Sequence, residues 1–310
     1  MGTDSNCQLS SVNCKDISKA YGDVQALKEV SIDVEAGELY GLIGPDGAGK
    51  TTLFRILTTL ILADKGTASV GNFDVVKDYK KIRSSVGYMS GRFSLYQDLT
   101  VEENLTFFAN VFGTTIEENY DLIKDIYQQI EPFKKRRAGA LSGGMKQKLA
   151  LSCALIHKPT VLFLDEPTTG VDPVSRKEFW GMLRKLKEQG ITILVSTPYM
   201  DEASLCDRIA LITNGHILKV DSPQNIVSQF DKILWGVRSD NMHRLLTDLR
   251  LHPAVESCFS FGDTLHAMLN NNALTTTTLS TWLSGKGHKN VIIFPIEPNV
   301  EDCFMELTKQ

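Results

Sequence analysis

Apolar positions along this chain switch between a period near two and a period near 3.6, and the switches mark its elements. Residues 9–35 alternate polar and apolar, which predicts two or three short strands. Leu39-Tyr-Gly-Leu-Ile43 is a continuous apolar run, the pattern of a strand covered on both faces. Over 52–60 the apolar residues fall at helical spacing. Val86-Gly-Tyr-Met89 reads as a further strand. Thr100-Val-Glu-Glu103 is a capping box, and the pattern stays helical to about Phe133, so residues 100–155 read as a helical insert. Val161-Leu-Phe-Leu164 and Ile191-Thr-Ile-Leu-Val-Ser196 are buried strands. Between them a helix starts at Asp172-Pro173 and stops before Gly190. Asn214-Gly215 between two short strands signals a two-residue hairpin.

The pattern changes at Ser222-Pro223. Beyond it come a strand at 233–237, a helix at 242–251, two strands within 255–269, a helix near 278–284 and a strand at 291–294. The order β-α-β-β-α-β predicts a small split-βαβ domain. The chain therefore divides into a large domain, residues 1–222, and a smaller one, residues 223–310.

Chemistry enters between the strand at 39–43 and the helix at 52–60. Gly44, Pro45, Asp46, Gly47, Ala48, Gly49, Lys50 and Thr51 fit G-x-x-x-x-G-K-[ST] without a gap, and Thr52 follows. Such glycines turn backbone N–H groups inward around a phosphate, and the helix N-terminus adds its positive dipole end. Lys50 is expected to reach the β- and γ-phosphates, and Thr51 to offer a hydroxyl to Mg²⁺. A glycine-rich turn with a chance lysine is the alternative, and the strand and helix on either side weigh against it. Asp165-Glu166 closes the strand at 161–164, at the edge where ligands sit in open α/β sheets. Asp165 suits Mg²⁺ and Glu166 suits an attacking water. Leu141-Ser-Gly-Gly-Met145 places Ser142, Gly143 and Gly144 ahead of a helix from Lys146 to about Ile156, with N–H groups aimed at an anion.

Composition adds mostly exclusions. The formal net charge of −4 argues against nucleic acid as the main ligand. Met1-Gly-Thr-Asp-Ser-Asn6 is polar and carries no signal-peptide pattern. No apolar run approaches the roughly 20 residues of a membrane helix; Arg55 and Asp64 interrupt the longest candidate. Cys7, Cys14, Cys153, Cys206, Cys258 and Cys303 form no C-x-x-C pair, so reduced thiols in a cytosolic protein are expected. Lys134-Lys-Arg-Arg137 reads as a solvated helix end, and His243, His252, His266 and His288 lack metal-ligand spacing.

The phosphate loop, Ser142-Gly-Gly144 and Asp165-Glu166, in this order, resemble the ATP-binding subunits of ABC transporters over roughly residues 10–222. The resemblance implies an α/β fold: a P-loop NTPase of the ABC nucleotide-binding type with a helical subdomain, followed by a small α+β C-terminal domain. It implies that Tyr21 stacks on adenine, that Leu141 to Met145 is the signature, and that Asp165 and Glu166 are the metal-side Asp and catalytic Glu. It implies that Asp172 belongs to a loop crossing a dimer interface. The implied cofactors are ATP and Mg²⁺. The implied partners are transmembrane permease subunits and a second ABC ATP-binding domain, and the implied location is cytoplasmic, peripheral on the inner face of the plasma membrane. The tail around Pro298-Asn-Val-Glu-Asp-Cys-Phe304 resembles the C-terminal extension of drug-efflux ATPases. The chain also resembles one half of bacterial exporter ATPases that carry two such domains.

Two positions depart from the family pattern. After the strand 86–89 the family places a Gln that bridges Mg²⁺, the attacking water and the membrane subunits; here it is Gly91. In Ile193-Leu-Val-Ser-Thr-Pro198 the family places a His on the γ-phosphate, and proline offers neither imidazole nor N–H. Both belong to the site built on this chain's own phosphate loop, whereas Ser142 to Gly144 serve the other site of a pair. The expectation is one weak and one competent site in an asymmetric dimer. Two alternatives stand beside the exporter ATPase: a nucleotide-binding regulatory half with little turnover, and a soluble, non-transport member of the class.

Overall fold

In a computed structural model, residues 10–91, 95–270 and 274–309 are described. The chain divides into two compact units, residues 1–223 and 224–310.

The first unit opens with two antiparallel strands, β1 (Ser10–Tyr21) and β2 (Val24–Glu35). They are two long strands, where the alternation had suggested two or three short ones. The pairing register slips between Cys14 and Ile17, which breaks the period of two in the sequence. Val12, Cys14, Ile17, Val30, Ile32 and Val34 face the core. β3 (Leu39–Ile43) is buried at all five positions, and α1 (Lys50–Leu57) follows the glycine loop. β4 (Lys65–Val70) and β5 (Phe73–Asp74) complete a sheet of order β2-β1-β4-β5. α2 (Tyr79–Ser85) leads into β6 (Val86–Met89).

The helical insert comprises α3 (Val101–Val111), α4 (Tyr120–Tyr127) and α5 (Gly143–Leu155). The capping box forms: Thr100 Oγ1 accepts from Glu103 N, and Glu103 Oε2 accepts from Thr100 N at 2.8 Å. The helical pattern expected as far as Phe133 is interrupted after α3, where Gly113 takes φ +68. Buried Asn119 then donates to the Ile156 carbonyl at 2.6 Å, tying the start of α4 to the end of α5. The basic run 134–137 lies past a 3₁₀ turn (Glu131–Phe133) instead of a helix end, largely exposed, with Lys134 paired to Glu102 at 3.2 Å.

β7 (Val161–Asp165), α6 (Pro173–Glu188), β8 (Thr192–Thr197), β9 (Arg208–Thr213) and β10 (His216–Asp221) complete the unit. The second sheet has the order β10-β9-β3-β8-β7-β6, parallel except for the β9–β10 hairpin. Asn214 and Gly215 both take positive φ, 49° and 80°, as a type I′ turn requires. The register decides where the chemistry gathers. Ile43 pairs with Thr197, Asp165 with Ser196, and Met89 with Leu164. The residues after β3, β6, β7 and β8 therefore leave one edge of the sheet together. Beneath that edge α1 packs Leu53, Phe54, Ile56 and Leu57, and Phe54 meets Phe163 edge-to-face at 5.6 Å.

In the second unit, α7 (Pro223–Ser228) precedes β11 (Ile233–Arg238), α8 (Met242–Arg250), β12 (Val255–Phe261), β13 (Thr264–Leu269), α9 (Thr276–Gly285) and β14 (Ile292–Pro295). The sheet is antiparallel with order β12-β13-β11-β14, the split-βαβ arrangement. Leu245, Leu249, Leu279 and Leu283 from its two helices join a core with Val237, Leu265 and Ala267. A last helix, α10 (Val300–Leu307), is capped by Asn299 and held by a 2.7 Å contact between Asp302 and His266.

Among the described residues no helix is long and apolar enough to cross a membrane. Cys14, Cys153, Cys206, Cys258 and Cys303 are buried thiols outside any disulfide, and burial pushes the Cys14 and Cys258 thiols up to about 12, out of the reactive range. Cys7 lies outside the described residues.

Candidate functional site

The glycine loop owes its shape to backbone demands that only glycine meets at two points. Gly49 takes φ +106, and a Cβ there would lie 2.5 Å from the Ala26 carbonyl. Gly44 has no unusual φ, but a Cβ would lie 2.0 Å from the Ile212 carbonyl, so β9 can approach the loop only because the side chain is absent. Pro45, Asp46 and Gly47 are exposed at the loop's crest, and Ala48 is buried below it.

The loop borders a cleft of about 550 Å³ lined by Tyr21, Val24, Gln25, Ala26, Lys28, Gly47, Gly49, Lys50, Thr51, Thr52, Glu166 and Asn214. Lys50 is almost fully buried and donates to the Gly44 and Pro45 carbonyls at 2.8 and 3.0 Å. Its ammonium also lies 3.2 Å from Glu166 Oε1. Thr51 Oγ1 donates to Asp165 Oδ1 at 3.1 Å, and Ser196 Oγ donates to the same oxygen at 2.6 Å. Glu166 takes φ +51, and its N–H bonds Ser196 O and Oγ at 3.0 and 3.1 Å. Tyr88, on the neighbouring strand, has its phenol pushed up to about 12 by burial and by the charge of Asp165. Hydroxyl and carboxylate oxygens in this arrangement are the hard donors that suit Mg²⁺. The amide-lined loop at the N-terminus of α1 suits phosphate.

Gly91 stands at the same edge. A Cβ on it would lie 3.0 Å from the Asp165 carbonyl and 3.7 Å from Glu166 Cβ. Pro198 follows β8, two residues after Ser196. Gly91 and Pro198 therefore fall past the ends of β6 and β8, the strands on either side of β7, whose end carries Asp165 and Glu166.

Ser142, Gly143, Gly144 and Asp172 do not line this cleft. The helix opens at Gly143, earlier than the Lys146 expected, with Ser142 as its cap accepting from Met145 N at 3.4 Å. A Cβ on Gly144 would lie 2.6 Å from Ser175 Oγ, so the first turn of α5 packs on the start of α6. Asp172 caps α6 by accepting from Val174 N and Ser175 N, bonds that hold its carboxyl below the usual range. These four residues form a second cluster, separate from the cleft lining.

Sequence reading missed Gln25, Lys28 and Asn214 in the cleft wall and Ser196 behind Asp165. The sequence marks Asn214 only as a turn residue; the others lie inside strands with nothing local to mark them. Among the described residues, no group of three or more His, Cys, Asp or Glu is placed to hold a metal. His288 and His266 bond Asp248 and Asp302, as structural histidines do.

Residues 27–169 match the protein family described as ABC transporter. The probable multidrug ABC transporter ATP-binding protein YbhF of Escherichia coli (strain K12) is 40% identical over 220 residues, 70% of this chain. The chain spans only 38% of that relative's length. Nod factor export ATP-binding protein I of Burkholderia lata is 33% identical over 307 residues, 97% of each chain. Linearmycin resistance ATP-binding protein LnrL of Bacillus subtilis (strain 168) is 30% identical over 309 residues, covering 96% of this chain and 98% of that one. The solved ATP-binding subunit of an ABC transporter superposes with a TM-score of 0.65 at 27% identity, over 71% of this chain and 93% of that one. A dimeric post-hydrolysis state of the ATP-binding cassette MJ0796, bound to ADP and Pi, gives 0.62 at 26% identity, over 68% and 98%. With a relative matched along 97% of both chains, and a loop, cleft and strand edge of this geometry, the chain belongs to the ATP-binding subunits of ABC transporters.

Proposed function

We propose that this chain binds Mg·ATP in the cleft beside Lys50 and works as the ATPase subunit of a membrane exporter, with its own site impaired in hydrolysis. ATP's phosphates would lie against the loop amides and Lys50, its adenine against Tyr21. Thr51 and Asp165 would hold Mg²⁺, which neutralises phosphate charge when bound. Glu166 is the group to orient an attacking water. The export role is inferred from relatives whose names refer to multidrug, Nod factor export and linearmycin resistance. The partners on this reading are transmembrane permease subunits and a second ABC ATP-binding domain, with this chain cytoplasmic and peripheral on the inner face of the plasma membrane.

The observation that carries the impairment is Gly91 against the carboxylate pair, with a virtual Cβ only 3.0 Å from the Asp165 carbonyl. A side chain from this position would reach the space beside Glu166, and glycine has none. Pro198 removes a second polar group at the adjacent strand end. Positioned groups that stabilise developing charge are each worth about 10²–10³ in rate. The pair is then asymmetric: this chain supplies Ser142 to Gly144 to a partner's competent site and a weak site of its own. A regulatory half with little turnover rests on the same two residues.

Steady-state ATP hydrolysis and ATP binding by the purified chain test this together. Binding with negligible turnover is expected, and Gly91→Gln with Pro198→His should raise turnover. Ordinary turnover by the unaltered chain alone would end the asymmetric reading.

A further inference from the structure

The carboxylate of Glu202 does not line the cleft, yet it joins two of the strand ends that build the site. It sits in a helical turn (Met200–Leu205) after β8 and is 1% exposed. Thr197 Oγ1 donates to its Oε2 at 2.6 Å, and Thr168 Oγ1 donates to its Oε1 at 2.7 Å. Both threonines are themselves buried. Arg176, on the first turn of α6, adds its charge at 3.7 Å and lays its guanidinium 4.1 Å over the Tyr199 ring. A carboxylate this deep is tolerated only when so bonded.

The connections form a closed ring. Thr168 lies two residues past Glu166, and Thr197 follows Ser196 directly. Ser196 in turn donates to Asp165 and accepts from Glu166 N. Glu202 therefore closes the circuit Asp165–Thr168–Glu202–Thr197–Ser196–Asp165. It fixes the exit of β7 against the exit of β8, and Tyr199 N, bonded to Thr197 Oγ1 at 3.1 Å, pins the far side of Pro198. Resting on the reading that Thr51 and Asp165 hold Mg²⁺ beside ATP, we propose that Glu202 is a positioning residue for Asp165. Through Thr197 and Ser196 it sets the carboxylate at its distance from Thr51. The part of ATP affinity that depends on Mg²⁺ is therefore built partly by a residue that touches neither.

The test compares ATP affinity by calorimetry in Mg²⁺ and in EDTA, for the full chain and for Glu202→Leu, Glu202→Gln and Thr197→Val, with thermal unfolding of each. Glu202→Leu should shrink the Mg²⁺-dependent gain by about tenfold, the scale of one displaced hydrogen bond. Its affinity in EDTA should stay within about twofold, since Lys50 and the loop are untouched. Glu202→Gln, which keeps one acceptor and gains a donor, should restore most of the gain. If Glu202→Leu does not fold, Thr197→Val carries the same expectation. Equal losses in Mg²⁺ and EDTA, or a gain unchanged in every variant, would overturn the proposal while leaving the ATP site standing. An unaltered chain whose ATP affinity ignored Mg²⁺ would overturn both.

Discussion

Replacing Lys50 by alanine separates binding from folding most cleanly. Its ammonium, on a side chain only 2% exposed, lies 3.2 Å from Glu166. It donates at 2.8 and 3.0 Å to the Gly44 and Pro45 carbonyls. On the proposed function, those donors turn to phosphate when ATP enters. A hydrogen bond to a charged group contributes about 1.5–3 kcal/mol net, which is about 10- to 150-fold in Kd. Folding should suffer far less. Glu166 is 24% exposed and opens onto a cleft of about 550 Å³, so water can solvate it and the two carbonyls once the lysine is gone. Isothermal calorimetry with ATP, beside urea unfolding of the same preparations, reads both quantities. The expected result is affinity down by at least tenfold with the urea slope unchanged and the midpoint shifted by no more than an ordinary point substitution allows. Affinity within twofold of the unaltered chain would refute the placement of phosphate at this loop.

Other consequences follow from local geometry. Gly49→Ala puts a Cβ 2.5 Å from a backbone carbonyl at φ +106 and should destabilise by about 2–5 kcal/mol in urea unfolding. Gly47→Ala, at φ +78 with nothing within 4 Å, should lose only about 1 kcal/mol. In the second unit, the hydrogen bond from His288 at 2.9 Å, helped by Lys286, holds the Asp248 carboxyl below its ordinary value. A depressed carboxylate contributes stability above the unfolded pKa, about 3.9, and loses it as pH falls through the folded value. Asp248→Asn should therefore lower the urea midpoint at pH 7 and flatten its decline below about pH 4; an unchanged acid limb would contradict the pairing.

Features set by neighbouring residues were legible in the chain. The glycine loop, the Thr100–Glu103 box and the Asn214-Gly215 turn all appear where the pattern put them, because each is a bargain among a few adjacent backbone groups. The split-βαβ order after position 223 was legible too, since each of its elements is short and amphipathic. Two local features escaped. The register slip near Cys14 hid the length of β1, and α10 starts with Asn299 and Asp302, a capping box lacking the Glu or Gln its usual pattern carries.

By itself, then, the sequence determined the glycine loop from Gly44 to Thr51, the Asp165-Glu166 strand end, the Ser142-Gly-Gly144 helix start, and the residues Gly91 and Pro198. Their meeting was decided by the sheet. Parallel pairing of β6, β7, β8 and β3 brings residues as far apart in the chain as Ile43 and Thr197 onto one edge, and no local pattern encodes that register. The same pairing recruits Ser196 to Asp165 and leaves Glu202 bridging two strand exits. Lys28, Gln25 and Asn214 enter the cleft because β2 approaches Gly49, and β9, which leads into the Asn214-Gly215 turn, approaches Gly44, as closely as the missing side chains allow. Local residues chose the chemical groups, and long-range packing fixed the distances between them, because burial of both sheet faces rewards one register above the rest.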